Sequence, residues 1–161
     1  MRQFKNPEAF AAFLVQQASL YPRARKAAFE EACKVVETAA KKLIGTEYEG
    51  WEDLKDSTVA EKERLGYVDV VSATDPLLRT GDLAASISHR SDEQSGQVGS
   101  DSDIAVYQEF GTEKGIPPRP FISTAGIQTH EKVADIMAKH VYRLVAGYPV
   151  RTATVSSETS P

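Results

Sequence analysis

The sequence contains one cysteine, three histidines and one tryptophan among 161 residues. Cys33 cannot form an internal disulfide and has no cysteine partner for a metal site. Because it lies on one face of a predicted helix among small apolar residues, we expect a buried, inert thiol. The histidines are isolated, and His130 and His140 lack the four-residue spacing that places two ligands on one helical face. The sequence therefore predicts no metal site.

Features of membrane proteins and of common enzyme classes are also missing. No run approaches the roughly 18 apolar residues of a membrane span, and the N-terminal residues include no apolar signal core. There is no glycine-rich phosphate loop and no nucleophile elbow. We therefore expect a protein that is assembled in a cytoplasm, with no membrane contact, no cofactor and no catalytic residues.

One group of acids keeps a small hydrolase open as an alternative. Asp101 and Asp103 form an Asp-x-Asp pair, and Glu109 follows. Paired acids can hold a hard cation or perform acid–base chemistry. Before a helix, however, they more often form a turn or a cap, and that is the reading we favour.

The charge is unevenly distributed along the chain. Residues 1–45 carry eight basic and four acidic side chains, a net charge of +4. Residues 46–113 carry five basic and sixteen acidic side chains (−11), and residues 114–161 carry six and three (+3). The middle segment is the opposite of a nucleic-acid footprint. It predicts either a solvated acidic surface or an acidic lining that lets DNA slide past by repelling phosphate.

Helix signals are clearest at the two ends of the chain. Asn6 can cap a helix that begins at Pro7. This helix is predicted to end by Tyr21, because Pro22 disfavours helical backbone in the residue before it. A second helix is predicted from Pro22 to a C-cap at Gly45. The final helix is predicted to start near residues 123–124 and to end before Gly147 and Pro149.

The segments between these helices are shorter. Residues 45–75 form an acidic excursion, an extended loop or hairpin with Trp51 as its main anchor and a possible strand near 66–72. Strands near 86–90 and 97–100 form a predicted hairpin, and residues 104–110 form one or two helical turns that stop at Gly111. We expect one α+β domain over 1–147 and a polar arm over 148–161.

A stiff loop is the most distinctive local feature. Glu109-Phe110-Gly111-Thr112 is followed closely by Pro117-Pro118-Arg119-Pro120-Phe121. The prolines lower the entropy cost of ordering the backbone. Such a loop suits a subunit interface, since preordered elements associate at lower cost. The alternative is internal: the two phenylalanines close the core and Arg119 pairs with Glu109.

Four motifs in one order resemble a known family, the tail-completion or neck proteins of tailed phages, which join head to tail during virion morphogenesis. Residues 78–87 resemble its Leu–x–Thr–Gly–x–Leu–x–x–Ser–Ile signature. Residues 105–112 are similar to its Tyr–Ala–x–x–x–Glu–Phe–Gly–Thr element, with the start altered, and residues 119–125 to its Arg–Pro–Phe–x–x–x–Ala element. Residues 51–62 resemble a Trp–x–x–Leu–x–x–x–Thr–x–x–x–Lys element of some members.

The resemblance implies a fold and a place in a virion. The fold would be α+β, with a long N-terminal helix and a C-terminal helix packed on a small antiparallel sheet. The chain would form a ring, commonly a hexamer, in the neck between head and tail. It would meet a head connector, adaptor or stopper protein on one side and a tail terminator or tail tube protein on the other, while DNA passes through without sequence-specific binding.

The candidate contact residues of such a ring are the motif residues themselves: Trp51, Thr80, Gly81, Leu83, Tyr107, Glu109, Phe110, Gly111, Thr112, Arg119, Pro120 and Phe121. Two alternatives remain at this point. A tail terminator that caps the tail tube would have the same signature, and a binding or toxin-regulatory module unrelated to virions would act as a monomer or dimer.

Overall fold

The computed structural model describes residues 3–67, 74–113 and 115–150. Within them the chain forms five helices and two strands, and the α+β class is confirmed. In chain order these are α1 Pro7–Leu43, α2 Asp56–Arg64, α3 Asp82–Ser86, β1 Ile87–Ser91, β2 Gly96–Ser100, α4 Asp103–Phe110 and α5 Ile122–Val145. The two strands form an antiparallel pair.

The predicted break at Pro22 is wrong. Helix α1 runs through this residue without interruption for 37 residues. A proline inside a helix removes one backbone donor and crowds one turn, which is a local cost. Alanine-rich helical sequence on both sides, with Ala24, Ala28 and Ala32 buried after it, offsets that cost. The start is as predicted, because Asn6 Oδ1 accepts a hydrogen bond from Ala9 N–H at 2.8 Å.

The segment over 45–75 differs from the prediction, and two other predicted segments lie mostly outside the residues that the structure describes. The excursion over 45–75 is not only a loop, since α2 occupies its centre. The possible strand near 66–72 falls mostly on residues outside the described part of the chain, as does most of the polar arm. Of the described helices, none combines the length and hydrophobicity needed to cross a membrane.

Contacts divide the chain into two compact units. The first unit comprises residues up to Cys33, Arg90–Gln97 and residues from Glu131 onwards; the second comprises Lys34–His89 and Val98–His130. The core of the second unit is built from small and large apolar side chains. It contains Ala40, Ile44, Trp51, Leu83, Ile87, Ala105, Phe121 and Ala125. Phe121 and Ile87 are its largest fully buried members.

The first unit has its own, smaller packing surface. Alanines of α1 and two residues of α5, Ile136 and Leu144, are buried there. Ser91 Oγ donates to Glu30 Oε2 at 2.6 Å, and His140 Nε2 lies 2.9 Å from Glu31 Oε2. Cys33 is buried as expected, and burial together with nearby Glu30 raises the pKa of its thiol.

The hairpin approaches α1 so closely that one strand position excludes a side chain. A Cβ at Gly96 would lie 2.5 Å from Cys33 Sγ and 3.2 Å from Phe29 Cβ. We expect Gly96→Ala to lower the free energy of unfolding by about 1–3 kcal/mol, the usual cost of overpacking. Urea denaturation measures it, with Gly99→Ala as a matched control on β2, where a Cβ meets nothing within 4 Å. Equal stability of the two variants would contradict the close contact.

Candidate functional site

Four motifs that lie far apart in the sequence meet in the second unit. Trp51, Leu83 and Phe121 belong to its apolar core, and Glu109 and Arg119 are buried polar residues in the same unit. Only two of the 12 candidate contact residues, Tyr107 and Phe110, are large apolar side chains exposed to solvent.

Glu109 is the N-terminal cap of α5. Its Oε2 accepts hydrogen bonds from Phe121 N–H at 2.9 Å and Ile122 N–H at 3.0 Å, and its Oε1 accepts one from Ser123 N–H at 2.9 Å. Ser123 Oγ donates to the same Oε1. A carboxylate here satisfies amides that have no partner within the helix and complements the positive end of the helix dipole.

Arg119 does not pair with Glu109, so the internal ion pair considered above is wrong. Its Nη2 donates instead to the backbone carbonyls of Glu52, at 2.7 Å, and Asp53, at 3.3 Å. Its Nε is buried without a hydrogen-bond partner. Burial lowers the pKa of Arg119, and the carboxylates of Glu52 and Asp53 partly offset this. The guanidinium therefore ties the segment after Trp51 to the start of α5.

Sequence reasoning missed the capping role, although a signal was present. Helix α5 has no acidic residue in its first turn. The residues just before it, Pro120 and Phe121, have no side-chain acceptor. A buried helix start without a local cap requires an acceptor from elsewhere in the chain. Glu109, the acid just before the stiff loop, provides it.

The turns before and after this core follow the predicted positions. Gly81 is the N-cap of α3, and Thr80 Oγ1 donates to Asp82 Oδ2 at 2.7 Å. Gly111 ends α4 with φ of 74°, where a Cβ would lie 2.8 Å from the Ile116 carbonyl oxygen. Thr112 closes the loop, because its N–H donates to that carbonyl at 3.0 Å. The glycines and threonines of these two turns therefore set the course of the backbone at the start of α3 and after α4.

One face of α4 remains exposed beside this core. Val106, Tyr107 and Phe110 are 54%, 50% and 76% exposed, respectively. At about 100° per residue they lie on one side of the helix. In contrast, Trp51, Leu83, Glu109, Arg119 and Phe121 have almost no surface to offer a partner. Within the protomer these five residues are internal and stabilise the fold. A direct contact between them and a neighbouring subunit stays a prediction.

A cavity of about 400 Å³ also opens in the second unit. Its walls are mainly apolar, and two buried cations, Lys62 and Arg119, are among its lining residues. Lys62 Nζ donates to the Asp75 carbonyl at 2.7 Å. Burial lowers the pKa of Lys62; Asp75 acts against this and Arg79 adds to it.

The side chains of two of the three acids of the hydrolase alternative, Glu109 and Asp103, lie at the starts of helices. Glu109 uses both carboxylate oxygens to cap α5. Asp103 lies in the first turn of α4, whose N-cap is Ser102. Among the described residues there is no group of three or more His, Cys, Asp or Glu side chains that could hold a metal.

Comparison with known proteins adds no relative. No protein-family model, curated protein or solved structure matches the chain. The resemblance to phage neck proteins therefore rests on the four sequence motifs alone.

Proposed function

We propose that the chain is a structural virion protein of a tailed double-stranded DNA phage, a tail-completion or neck protein that forms a ring at the head–tail interface. The observation that supports this most is the convergence of the motifs. Trp51, Leu83, Glu109, Arg119 and Phe121 come from four separate motifs and stabilise one core. Residues that recur together in a family for structural reasons are expected to meet in this way.

The exposed face of α4 supports assembly. Val106, Tyr107 and Phe110 form an apolar surface on an element whose position is set by the Glu109 cap. Exposed apolar patches of this kind mark association surfaces. In the proposed ring this face meets either the next subunit or an adjoining neck protein. The adjoining protein is a head connector, adaptor or stopper on the head side, and a tail terminator or tail tube protein on the tail side.

The acidic middle of the chain fits a protein through which DNA passes. Residues 46–113 carry a net charge of −11. Acidic side chains repel phosphate, so a channel lined by them would not retain the genome. The proposal includes no cofactor and no reaction. A tail terminator is the second candidate, since it would use the same motifs.

The proposal is tested in the phage that encodes the chain, with this gene silenced by an amber mutation. We expect lysates with filled heads and separate tails of normal length, restored to whole particles by a plasmid copy. Tails of irregular length would favour the terminator. Joined, infectious particles without the protein would contradict both candidates.

A plasmid-borne variant tests the α4 surface. Phe110→Ser removes an exposed aromatic group, so we expect a folded protein that restores at most a small fraction of infectious particles. Ile127→Ser is the matched control, because Ile127 is also exposed, at 72%, but lies on α5. Equal complementation by both variants would rule out a special role for the α4 face.

A further inference from the structure

The first 15 residues of α1, residues 7–21, have the composition of a buried helix; we call them the arm helix. Ten of them are apolar and only Glu8 is charged. Yet 12 are exposed and three are half-buried, so none is buried. A helix with so few polar groups is normally covered on most sides.

The exposed apolar groups of the arm helix form a stripe. Phe10, Leu14 and Tyr21 are 46%, 48% and 45% exposed. Spacings of four and seven residues place them on one narrow face. Val15, at 71%, extends the apolar surface to a neighbouring face. Because no residue of the arm helix is buried, this stripe is open to a packing partner.

A complementary surface lies on α5 of the same unit. Val141, Tyr142 and Val145 are 51%, 68% and 67% exposed. Their spacing places them within about a third of the helix circumference. Each copy of the chain therefore has two different exposed apolar helix surfaces, both in the first unit.

The areas match what a stable contact requires. With about 200 Å² per whole side chain, an aromatic value that is an upper limit for leucine and valine, the four arm residues expose at most about 400 Å² and the three α5 residues at most about 350 Å². Contact between two copies would bury at most about 750 Å² of apolar surface. A standard interface of about 1,600 Å² in total has about 900 Å² of apolar surface. Because the arm helix has a single charge, packing it on a second copy brings almost no charge repulsion.

We infer that the occupant is a second copy of the chain: the arm helix of one subunit packs on the α5 surface of the next. Because two different surfaces meet, the contact is head-to-tail and can close into a ring. The inference rests on the proposed function for the ring, while the pairing of the two surfaces is tested separately below.

The first test measures assembly of the full chain by sedimentation velocity and native mass spectrometry. We expect the wild-type chain to form a closed oligomer. Replacing Phe10 and Leu14 together with serine should weaken association about 100-fold, because two apolar side chains lose their burial. Ile127→Ser changes an apolar side chain on α5 in the second unit that is 72% exposed, more than Phe10 or Leu14, and it should assemble as the wild type does. Circular dichroism checks that each variant is folded.

The second test identifies the surfaces in contact. A Leu14→Cys chain is mixed with a Val141→Cys chain under mild oxidation, and Cys33 in both is buried. We expect a mixed disulfide-linked dimer to dominate, since a disulfide requires Cα atoms within about 7 Å. Dominance of the dimer linked through two copies of residue 14 would overturn the head-to-tail pairing.

The outcomes separate this contact from the proposed function. If the serine variant still assembles, the arm contact is wrong and the neck proposal stands. If the variant dissociates but restores whole particles as the wild type does, the contact stands and the neck ring is wrong. A wild-type chain that stays monomeric, or that floats with lipid vesicles through its arm helix, would overturn the inference.

Discussion

Phe121→Ala should lower the free energy of unfolding by about 3–5 kcal/mol, the range for removing a phenylalanine from a packed core. Phe121 is 0% exposed and lies in the core with Ile87, Trp51 and Leu83. Its removal leaves a cavity that these neighbours fill only partly. Urea denaturation followed by circular dichroism measures the change.

Phe110 is the matched control for this substitution. It is the same residue type in an adjacent motif, but it is 76% exposed. We expect Phe110→Ala to change the free energy of unfolding of the protomer by less than about 0.5 kcal/mol. A small loss for Phe121→Ala, or similar losses for the two variants, would show that residue 121 is not the centre of the core.

Glu109→Ala is expected to have an effect of similar size, a loss of about 3–5 kcal/mol. The substitution leaves the amides of Phe121, Ile122 and Ser123 without their acceptor at a partly buried helix start. It also removes the negative charge that complements the helix dipole. Glu109→Gln should lose less stability than Glu109→Ala, because its amide oxygen can still accept hydrogen bonds. It should still be less stable than the wild type, because its NH₂ group faces the remaining N–H donors.

Thermal and urea unfolding of both variants measure the effect of the cap, and Glu113→Ala is the control. Glu113 is an acid four residues away that is exposed to solvent, so its removal should be nearly neutral. If Glu109→Ala and Glu113→Ala were equally stable, the capping role of Glu109 would be excluded.

These two expectations change how assembly defects should be interpreted. Under the proposed neck function, Arg119→Ala and Phe121→Ala are expected to leave heads and tails unjoined, and both residues are buried in the protomer. Loss of joining by such variants would therefore follow from an unstable protomer. Substitutions at exposed positions such as Tyr107 and Phe110 test a contact directly, because they leave the core in place.

The parts of the fold that were predicted correctly depend on local patterns. The hairpin at 87–100 has two short strand segments around a polar turn, and α4 and α5 have helical spacing with glycine beyond their ends. Each signal lies within a few residues of the structure that it specifies. The break at Pro22 was also predicted from a local rule. An internal proline costs about 3 kcal/mol, and the helical sequence on both sides together with the buried turns after it offsets that cost.

The site was less predictable because its contacts are long-range. Arg119 binds carbonyls 66 and 67 residues away, and Glu109 reaches amides 12 to 14 residues away. Because both side chains are charged, each was expected to need a partner. Their opposite charges suggested that Arg119 and Glu109 pair with each other. The choice between a carboxylate and a backbone group depends on which atoms the fold brings within reach, which no spacing rule specifies.

Pro22 has a further consequence for α1. Proline has no amide hydrogen, so the carbonyl of Ala18 has no donor one turn later and the hydrogen-bond ladder has a gap at this point. Fraying that begins at Pro7 can stop at the gap without opening the packed turns from Ala24 onwards. In the separate protomer, amide protons on the two sides of the gap are thus expected to exchange with solvent at different rates, rapidly before it and slowly after it.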